Sequence, residues 1–350
     1  MHGPSTRGIH ADRPLADLPD VAPPLRPSTT FEDGTGRRYR RTSHETTERL
    51  EAVIGSLEGW YAVAYASGMA AVTAALDHYR PKRVVLPDVY HGVEALVRRL
   101  EERDRVEIVP PDELGEGDLW WVETPSNPKC IITDLEAVVA AAHAAGAVVV
   151  CDATLATPIA MTPLAFGVDM VMHSATKAMA GHSDALAGVL AVGDEREASQ
   201  LREGRMLSGA VPGSLDSWLV LRGIRTLALR VERSTESAAV VAELFHSRGI
   251  VTYYPGLTSH PGHDIAAQQM RGMGSLLAID LGSESSAAAF VDALEVFTSA
   301  TSLGGVESLA EHRIRSDPAT DPGLVRLSIG IEDVVDLAND IDQGLDVIDS

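Results

Sequence analysis

Val168-Asp-Met-Val-Met-His-Ser-Ala-Thr-Lys177-Ala-Met-Ala-Gly-His-Ser-Asp184 runs from an apolar stretch directly into a lysine set among hydroxyls and glycines. Val168 to Met172 has the content of a short buried strand. The small polar residues after it place Lys177 at a strand end, where α/β proteins hold ligands. An amine partly desolvated in such a place binds its proton less tightly and can attack a carbonyl as a free base, which is what a Schiff-base lysine requires. The ordinary alternative for a lysine is a solvated position in a loop.

On either side of this stretch the pattern alternates. Leu50, Val53, Ile54 and Leu57 recur at helical spacing within 46–57, and Gly59 supplies a stop. Residues 61–65 form a strand that leads through Ser67-Gly68 into an Ala-rich helix at 69–78. Strands are expected at 83–86, 106–109, 119–123, 147–152, 168–172 and 186–192, with helices at 93–102 and 135–145. Continuous apolar strands alternating with helices indicate an α/β domain whose mostly parallel sheet is covered on both faces. Residues 214–246 contain few breakers besides Gly223 and read as one long or kinked helix. Beyond Gly249 the order changes to strands at 251–254, 275–281 and 325–329 with helices at 287–297 and 334–347, a smaller α+β domain. Residues 1–45, rich in Pro, Asp and Arg without a sustained period, read as an extended arm in need of a partner surface. The expected organisation is an arm (1–45), a large domain (46–230) and a C-terminal domain (231–350).

Composition narrows the partners. The chain has 350 residues, 45% of them hydrophobic and 23% charged, in keeping with a globular protein; its net charge of −21, from 50 acidic against 29 basic residues, opposes nucleic acid and anionic membranes. Of the two cysteines, Cys130 and Cys151, the second lies in an apolar run where an inert buried thiol is usual. The first residues lack the apolar core of a signal peptide, and no stretch reaches the roughly 18 apolar residues of a membrane span. A reducing, cytoplasmic location is expected. His173 with His182, and His260 with His263, lack the spacing of a metal site, so no metal is expected.

The string Ser174, Thr176, Lys177, Gly181, His182, Ser183, Asp184 resembles the lysine segment of the Cys/Met-metabolism (trans-sulfuration) pyridoxal-phosphate enzymes, the group of cystathionine γ-synthase, cystathionine γ-lyase and methionine γ-lyase. The resemblance extends through Tyr39 to Arg41, Ser67-Gly-Met69, Glu123-Thr-Pro-Ser-Asn-Pro128, Asp152, Tyr253 to Leu257, Ser302 to Leu309 and Leu324 to Asp333, nearly the whole chain. It implies a fold-type I transferase with a mostly parallel seven-stranded sheet and pyridoxal 5'-phosphate as cofactor. It further implies an amino-acid substrate and association into a homodimer or homotetramer.

Pyridoxal phosphate needs a lysine for its aldehyde, a carboxylate for its ring nitrogen, a cradle for its phosphate and a platform for its ring. Asp152 ends the run Ala-Val-Val-Val-Cys and so emerges at the end of a buried strand; a strand-terminal Asp that caps a turn is the alternative. Ser67-Gly68-Met69 precedes a helix whose free N–H groups suit an anion, or is an ordinary N-cap. The resemblance assigns the phosphate to Ser67, Gly68, Met69, Ser174 and Thr176, joined by Tyr39 and Arg41 from the neighbouring subunit. It makes Tyr90 the stacking residue and the acid or base at the leaving group. It places Asn127 near the cofactor's phenolic oxygen and Thr154 beside Asp152. Arg326, with Ser302, receives the substrate α-carboxylate.

The implied reaction is γ-elimination or γ-replacement on a homoserine-derived or sulfur-containing amino acid, with Lys177 and Tyr90 as catalytic residues. A β-lyase or another pyridoxal-phosphate enzyme of a specialised pathway acting on an unusual amino acid, or a non-catalytic protein retaining the fold, are the alternatives; intact Lys177, Asp152, Tyr90 and Arg326 argue against the last. Departures from the family bear on substrate. His44-Glu45-Thr46 replaces Asn-Pro-Thr, His91-Gly-Val-Glu-Ala95 lacks the Thr and Arg that follow the tyrosine in enzymes acting on cystathionine, and Thr301 replaces a Glu. The loop between Leu309 and Val325 is short.

Overall fold

The computed structural model describes residues 2–15 and 20–349. They fall into two compact units: one runs to Thr124 and from Thr133 to Ala228, the other comprises Pro125–Ile132 and the chain from Leu229 onward.

The first unit is built on a seven-stranded sheet of β1 (Tyr61–Tyr65), β2 (Arg83–Val85), β3 (Glu107–Ile108), β4 (Leu119–Glu123), β5 (Val148–Asp152), β6 (Met170–His173) and β7 (Gly188–Val192), in the order β1-β7-β6-β5-β4-β2-β3. Only β7 runs against its neighbours. β5 and β7 are apolar along almost their whole length because both faces are covered, and Val150, Met170, Leu190 and Trp121 lie in one buried cluster with residues of the helix Gly68–Tyr79. The α/β architecture expected from the alternation is therefore present.

The N-terminal segment departs from an extended arm. Pro4–His10 is helical, with proline in the first turn where its missing N–H costs nothing, and Gly8 sits against the Ile224 carbonyl. Asp12, fully buried, pairs with Arg49 at 2.6 Å. Further on, the Trp218 indole N–H donates to the Pro23 carbonyl at 2.8 Å, and Arg40 donates to the Pro212 carbonyl at 2.5 Å. The part of the arm at 16–19 lies outside the described residues.

The stretch expected as a single helix from 214 is two, Ser214–Ile224 and Leu227–Ser247, broken where the Arg225 and Thr226 amides bond back to the carbonyls of Arg222 and Gly223, three residues earlier. A helix over Glu195–Ser208, not anticipated, buries Ala198, Leu201 and Arg205.

The second unit carries a five-stranded sheet in the order β10-β11-β12-β9-β8, where β8 is Val251–Tyr253, β9 Leu276–Asp280, β10 Thr298–Ser299, β11 Leu309–His312 and β12 Leu324–Ser328. The helices Glu284–Ala293 and Val334–Asp349 pack with it around Phe245, Phe290, Leu277, Leu327 and Ile341. No helix of the described residues is long and apolar enough to cross a membrane.

Candidate active site

Asp152 is the last residue of β5 and lies in parallel register with Met172 of β6. Since the two strands point the same way, Asp152 and the turn that follows His173 open on one edge of the sheet, the edge where doubly wound folds bind ligands. Thr154 joins them. Its amide and hydroxyl donate to Asp152 Oδ1 at 2.9 and 2.6 Å, and its oxygen accepts the Ser174 amide at 2.8 Å. Asp152 Oδ2 takes part in none of these bonds. Burial raises the Asp152 carboxyl above its usual range, while the Thr154 bonds and the nearby His173 pull it back.

The helix Gly68–Tyr79 starts beside Ser174: a methyl on Gly68 would lie 3.1 Å from the Ser174 hydroxyl. Ser67 accepts the Ala70 amide at 3.1 Å, and Ala71 is the first to bond a backbone carbonyl, that of Ser67. The amides of Gly68 and Met69 precede both bonds and are left at the helix start for another acceptor. Ser67 is therefore the cap of this helix.

Tyr90 precedes the helix His91–Glu101; its amide donates to Glu123 Oε2 at 2.6 Å, and its ring lies 4.3 Å from that of His91. Gly92 makes room for it. A Cβ there would fall 2.5 Å from Tyr90 Cε1 and 3.1 Å from Met69 Sδ, so a larger residue would push the tyrosine ring from its place against Met69.

Lys177 stands in a turn in which its amide donates to the Ser174 carbonyl at 3.0 Å and its carbonyl accepts the Gly181 amide at 2.8 Å. The backbone of Ser214–Ile224 presses on this turn at Gly223, where a Cβ would be 2.2 Å from the Ala180 carbonyl oxygen. Thr176 does something other than face the helix start. Its hydroxyl donates to the Ala187 carbonyl at 3.2 Å and accepts the Ala187 amide at 3.0 Å, a clasp across the base of the lysine loop. The proton expected at a phosphate is thus directed to the backbone.

Tyr39 and Arg41 are not gathered with the strand-end residues of their own chain. Arg41 donates to the Met206 carbonyl at 2.9 Å and lies over the Tyr39 ring, and both line a shallow hollow with Thr29, Arg40, Gly209 and Pro212.

The remaining expected residues cluster in the second unit. Arg326 of β12 donates to Asn127 Oδ1 at 3.1 Å and to the Ser302 carbonyl at 2.7 Å, and pairs with Glu311 at 2.5 Å. Its Nε is buried without a partner. Burial draws the Arg326 guanidinium down to about 10, with Glu311 opposing, so the group is cationic at neutral pH. Ser302 has φ 88, in the left-handed region that few non-glycine residues occupy. Sequence reasoning missed Glu311, although it stands directly opposite Arg326 on the neighbouring strand, and Glu123, which ends β4 as Asp152 ends β5. His260 and His263 serve their own loop, accepting the Gly262 amide and bonding the Pro255 carbonyl. No group of residues suited to a metal ion occurs among the described residues.

A seven-stranded, mostly parallel sheet with a lysine turn and a buried carboxylate at neighbouring strand ends, in a chain that also carries a smaller five-stranded sheet, defines a fold-type I pyridoxal-phosphate enzyme. The chain belongs to the Cys/Met metabolism PLP-dependent enzyme family, whose model matches residues 5–346. It is 41% identical to the cystathionine γ-synthase of Mycobacterium tuberculosis, over 99% of this chain and 97% of that protein. The crystal structure of metB from Corynebacterium glutamicum superimposes with a TM-score of 0.95 at 35% identity, covering 99% of this chain and 98% of the other. That of CalE6, a methionine γ-lyase from Micromonospora echinospora, gives 0.91 at 37% identity, covering 99% of both chains. The protein is thus a PLP-dependent enzyme of the trans-sulfuration type, related to γ-synthases and lyases.

Proposed function

We propose that Lys177 binds the aldehyde of pyridoxal phosphate and that the enzyme carries out γ-elimination or γ-replacement on an amino acid with an uncharged γ-substituent. The observation that carries this reading is the hydrogen-bonded chain from the Ser174 amide through Thr154 to Asp152, which ties the lysine-bearing turn to a buried carboxylate. The residues present suit the cofactor. Asp152 Oδ2 has no donor among the Thr154 bonds and would serve the ring nitrogen, the Gly68 and Met69 amides with the Ser67 and Ser174 hydroxyls would hold the phosphate, and Tyr90 would offer a ring face. When bound, pyridoxal phosphate withdraws electrons from the amino acid attached to it, so that its Cα and then its Cβ become acidic.

The chain's own groups do the rest. Asp152 would pair with the ring nitrogen and hold a proton there. The Lys177 amine takes the proton from Cα and later from Cβ, and the Tyr90 hydroxyl supplies one to the leaving γ-group. Arg326 holds the α-carboxylate, with Nη1 and Nη2 already fixed by Asn127, Ser302 and Glu311 and with Nε open to a further acceptor. Tyr39 and Arg41 act on the phosphate of a neighbouring subunit in a homodimer or homotetramer, and the enzyme works in the cytoplasm.

The test is spectroscopic. Purified with cofactor, the wild type shows a visible band that borohydride bleaches, and Lys177→Ala lacks it while remaining folded; a variant that kept the band would assign the aldehyde to another lysine.

A further inference from the structure

Beneath the cofactor edge lies a pair that the proposed reaction leaves unused. His173 Nε2 and Glu58 Oε1 are 2.6 Å apart, with side chains 1% and 0% exposed. His173 Nδ1 and Glu58 Oε2 are also buried, and neither has a partner. Such a pair is poor at stabilising a fold, because desolvating two ionisable groups and leaving two of their polar atoms unsatisfied offsets what the contact gains. A pair of apolar residues would fill the same space at lower cost.

Its position connects it to Asp152. His173 ends β6, directly after Met172, the register partner of Asp152. The peptide N–H that donates to Thr154 is the one that links His173 to Ser174, and Thr154 in turn donates to Asp152 Oδ1. A displacement of the imidazole is therefore transmitted through one peptide unit to the hydroxyl that orients the carboxylate. The electrostatic effect runs in the same sense: His173 favours the ionised form of Asp152, which burial alone disfavours. The other titratable groups around the pair are Cys151, adjacent to Asp152 on β5, and Glu123 on β4; burial raises the Cys151 thiol well above its usual range and keeps it neutral.

We propose that Glu58 and His173 are positioning residues, a buried hydrogen-bonded pair that holds Asp152 oriented and anionic toward the ring nitrogen of the cofactor. Glu58 fixes the imidazole at the end of β6, one peptide unit from the amide that binds Thr154. The inference rests on the role of Asp152 proposed above, and the experiment separates the two.

Holoenzyme reconstituted with ¹⁵N-labelled pyridoxal phosphate reports the protonation of the ring nitrogen by its chemical shift, a quantity that a purely structural pair leaves unchanged. Wild type, Asp152→Asn, Glu58→Gln and His173→Gln are compared, together with cofactor affinity and Tm. Glu58→Gln keeps the shape and a hydrogen bond while removing the charge. It moves the ring-nitrogen shift toward that of Asp152→Asn and weakens cofactor binding about tenfold, the equivalent of one pKa unit of lost preference for the anion. If Asp152→Asn moves the shift and both variants of the pair leave it at the wild-type value, the pair is structural and this inference fails alone. If Asp152→Asn itself leaves the shift unchanged, the assigned role of Asp152 fails first. Should His173→Gln not fold, Glu58→Gln decides.

Discussion

Glu311 and Arg326 face each other across the antiparallel β11–β12 ladder, with carboxylate and guanidinium 2.5 Å apart and both side chains buried. Glu311 also binds Arg313 at 3.1 Å and the Ser316 hydroxyl at 2.7 Å, so one carboxylate serves two cations. Glu311→Ala leaves buried guanidinium groups uncompensated and is expected to destabilise the second unit by about 3–5 kcal/mol. Thermal and urea denaturation measure this; a loss below about 1 kcal/mol would mean that Arg326 does not depend on the pair.

His44 is a second point of tension. It occupies the N-cap of the helix Glu45–Glu58 without capping it, and it is buried. Burial, followed by the neighbouring Arg40, lowers its pKa; Arg37 acts in the same direction, and a hydrogen bond to the Arg26 backbone and the Glu48 carboxylate oppose it. A histidine whose folded pKa lies below its unfolded value is neutral in the fold, so stability falls as pH drops below the unfolded value of about 6.5. His44→Asn, which restores both a cap and the residue typical of the resembled family, is expected to add about 1 kcal/mol at pH 7 and to flatten the fall in Tm between pH 7 and 5. Melting curves across that window check it, and an unchanged slope would show that His44 does not set the acid limb.

If Tyr39 and Arg41 serve a neighbouring subunit, inactive Arg41→Ala and inactive Lys177→Ala chains mixed under exchange conditions recover activity. A mixed dimer has one site with both defects and one with neither. Absence of recovery while mixed dimers form would place Arg41 in the site of its own subunit.

Substrate preference follows from groups that are absent. Glu94, the residue near Tyr90 best able to meet a distal ammonium, has its Oε1 engaged by Arg98 at 2.6 and 2.9 Å, while Val93 is buried and Thr301 carries no charge. If a charged distal arm meets no counter-charge when it binds, its desolvation goes uncompensated, a penalty of about a few kcal/mol or roughly a hundredfold in kcat/KM. O-acetyl-L-homoserine and L-methionine are expected to surpass L-cystathionine, with the ranking unaltered in Glu94→Ala. Cystathionine as the best substrate would overturn the preference.

Much of this organisation was legible in the sequence, and the exceptions have physical causes. Leu119–Glu123 and Leu135–Ala145 coincide with their expected bounds because apolar content, cap and stop signals agree there. Glu195–Ser208 escaped notice because its inward face includes Arg205, which looks solvated until its pairing with Glu51 is known. β11 was hidden for the same reason, since Glu311 and His312 are buried polar residues on it. The break after Ile224 is invisible locally; it arises where Gly223 meets the carbonyls of Met179 and Ala180, distant in the chain. At the site, residue types and strand ends were readable, whereas the Thr176 clasp and the Glu58–His173 contact depend on which groups meet across the fold.

The single reversed strand, β7, bears on how the molecule assembles. β6 and β7 are consecutive in sequence and antiparallel, so the lysine turn between them closes as a local loop, clasped by Thr176 and Ala187. The β4–β5 pairing that positions Asp152 is parallel and must enclose a whole crossover helix, a longer closure with a larger entropic penalty. The reactive amine thus sits on a loop whose two ends are joined within a short stretch of chain, whereas the carboxylate owes its place to pairing across the sheet.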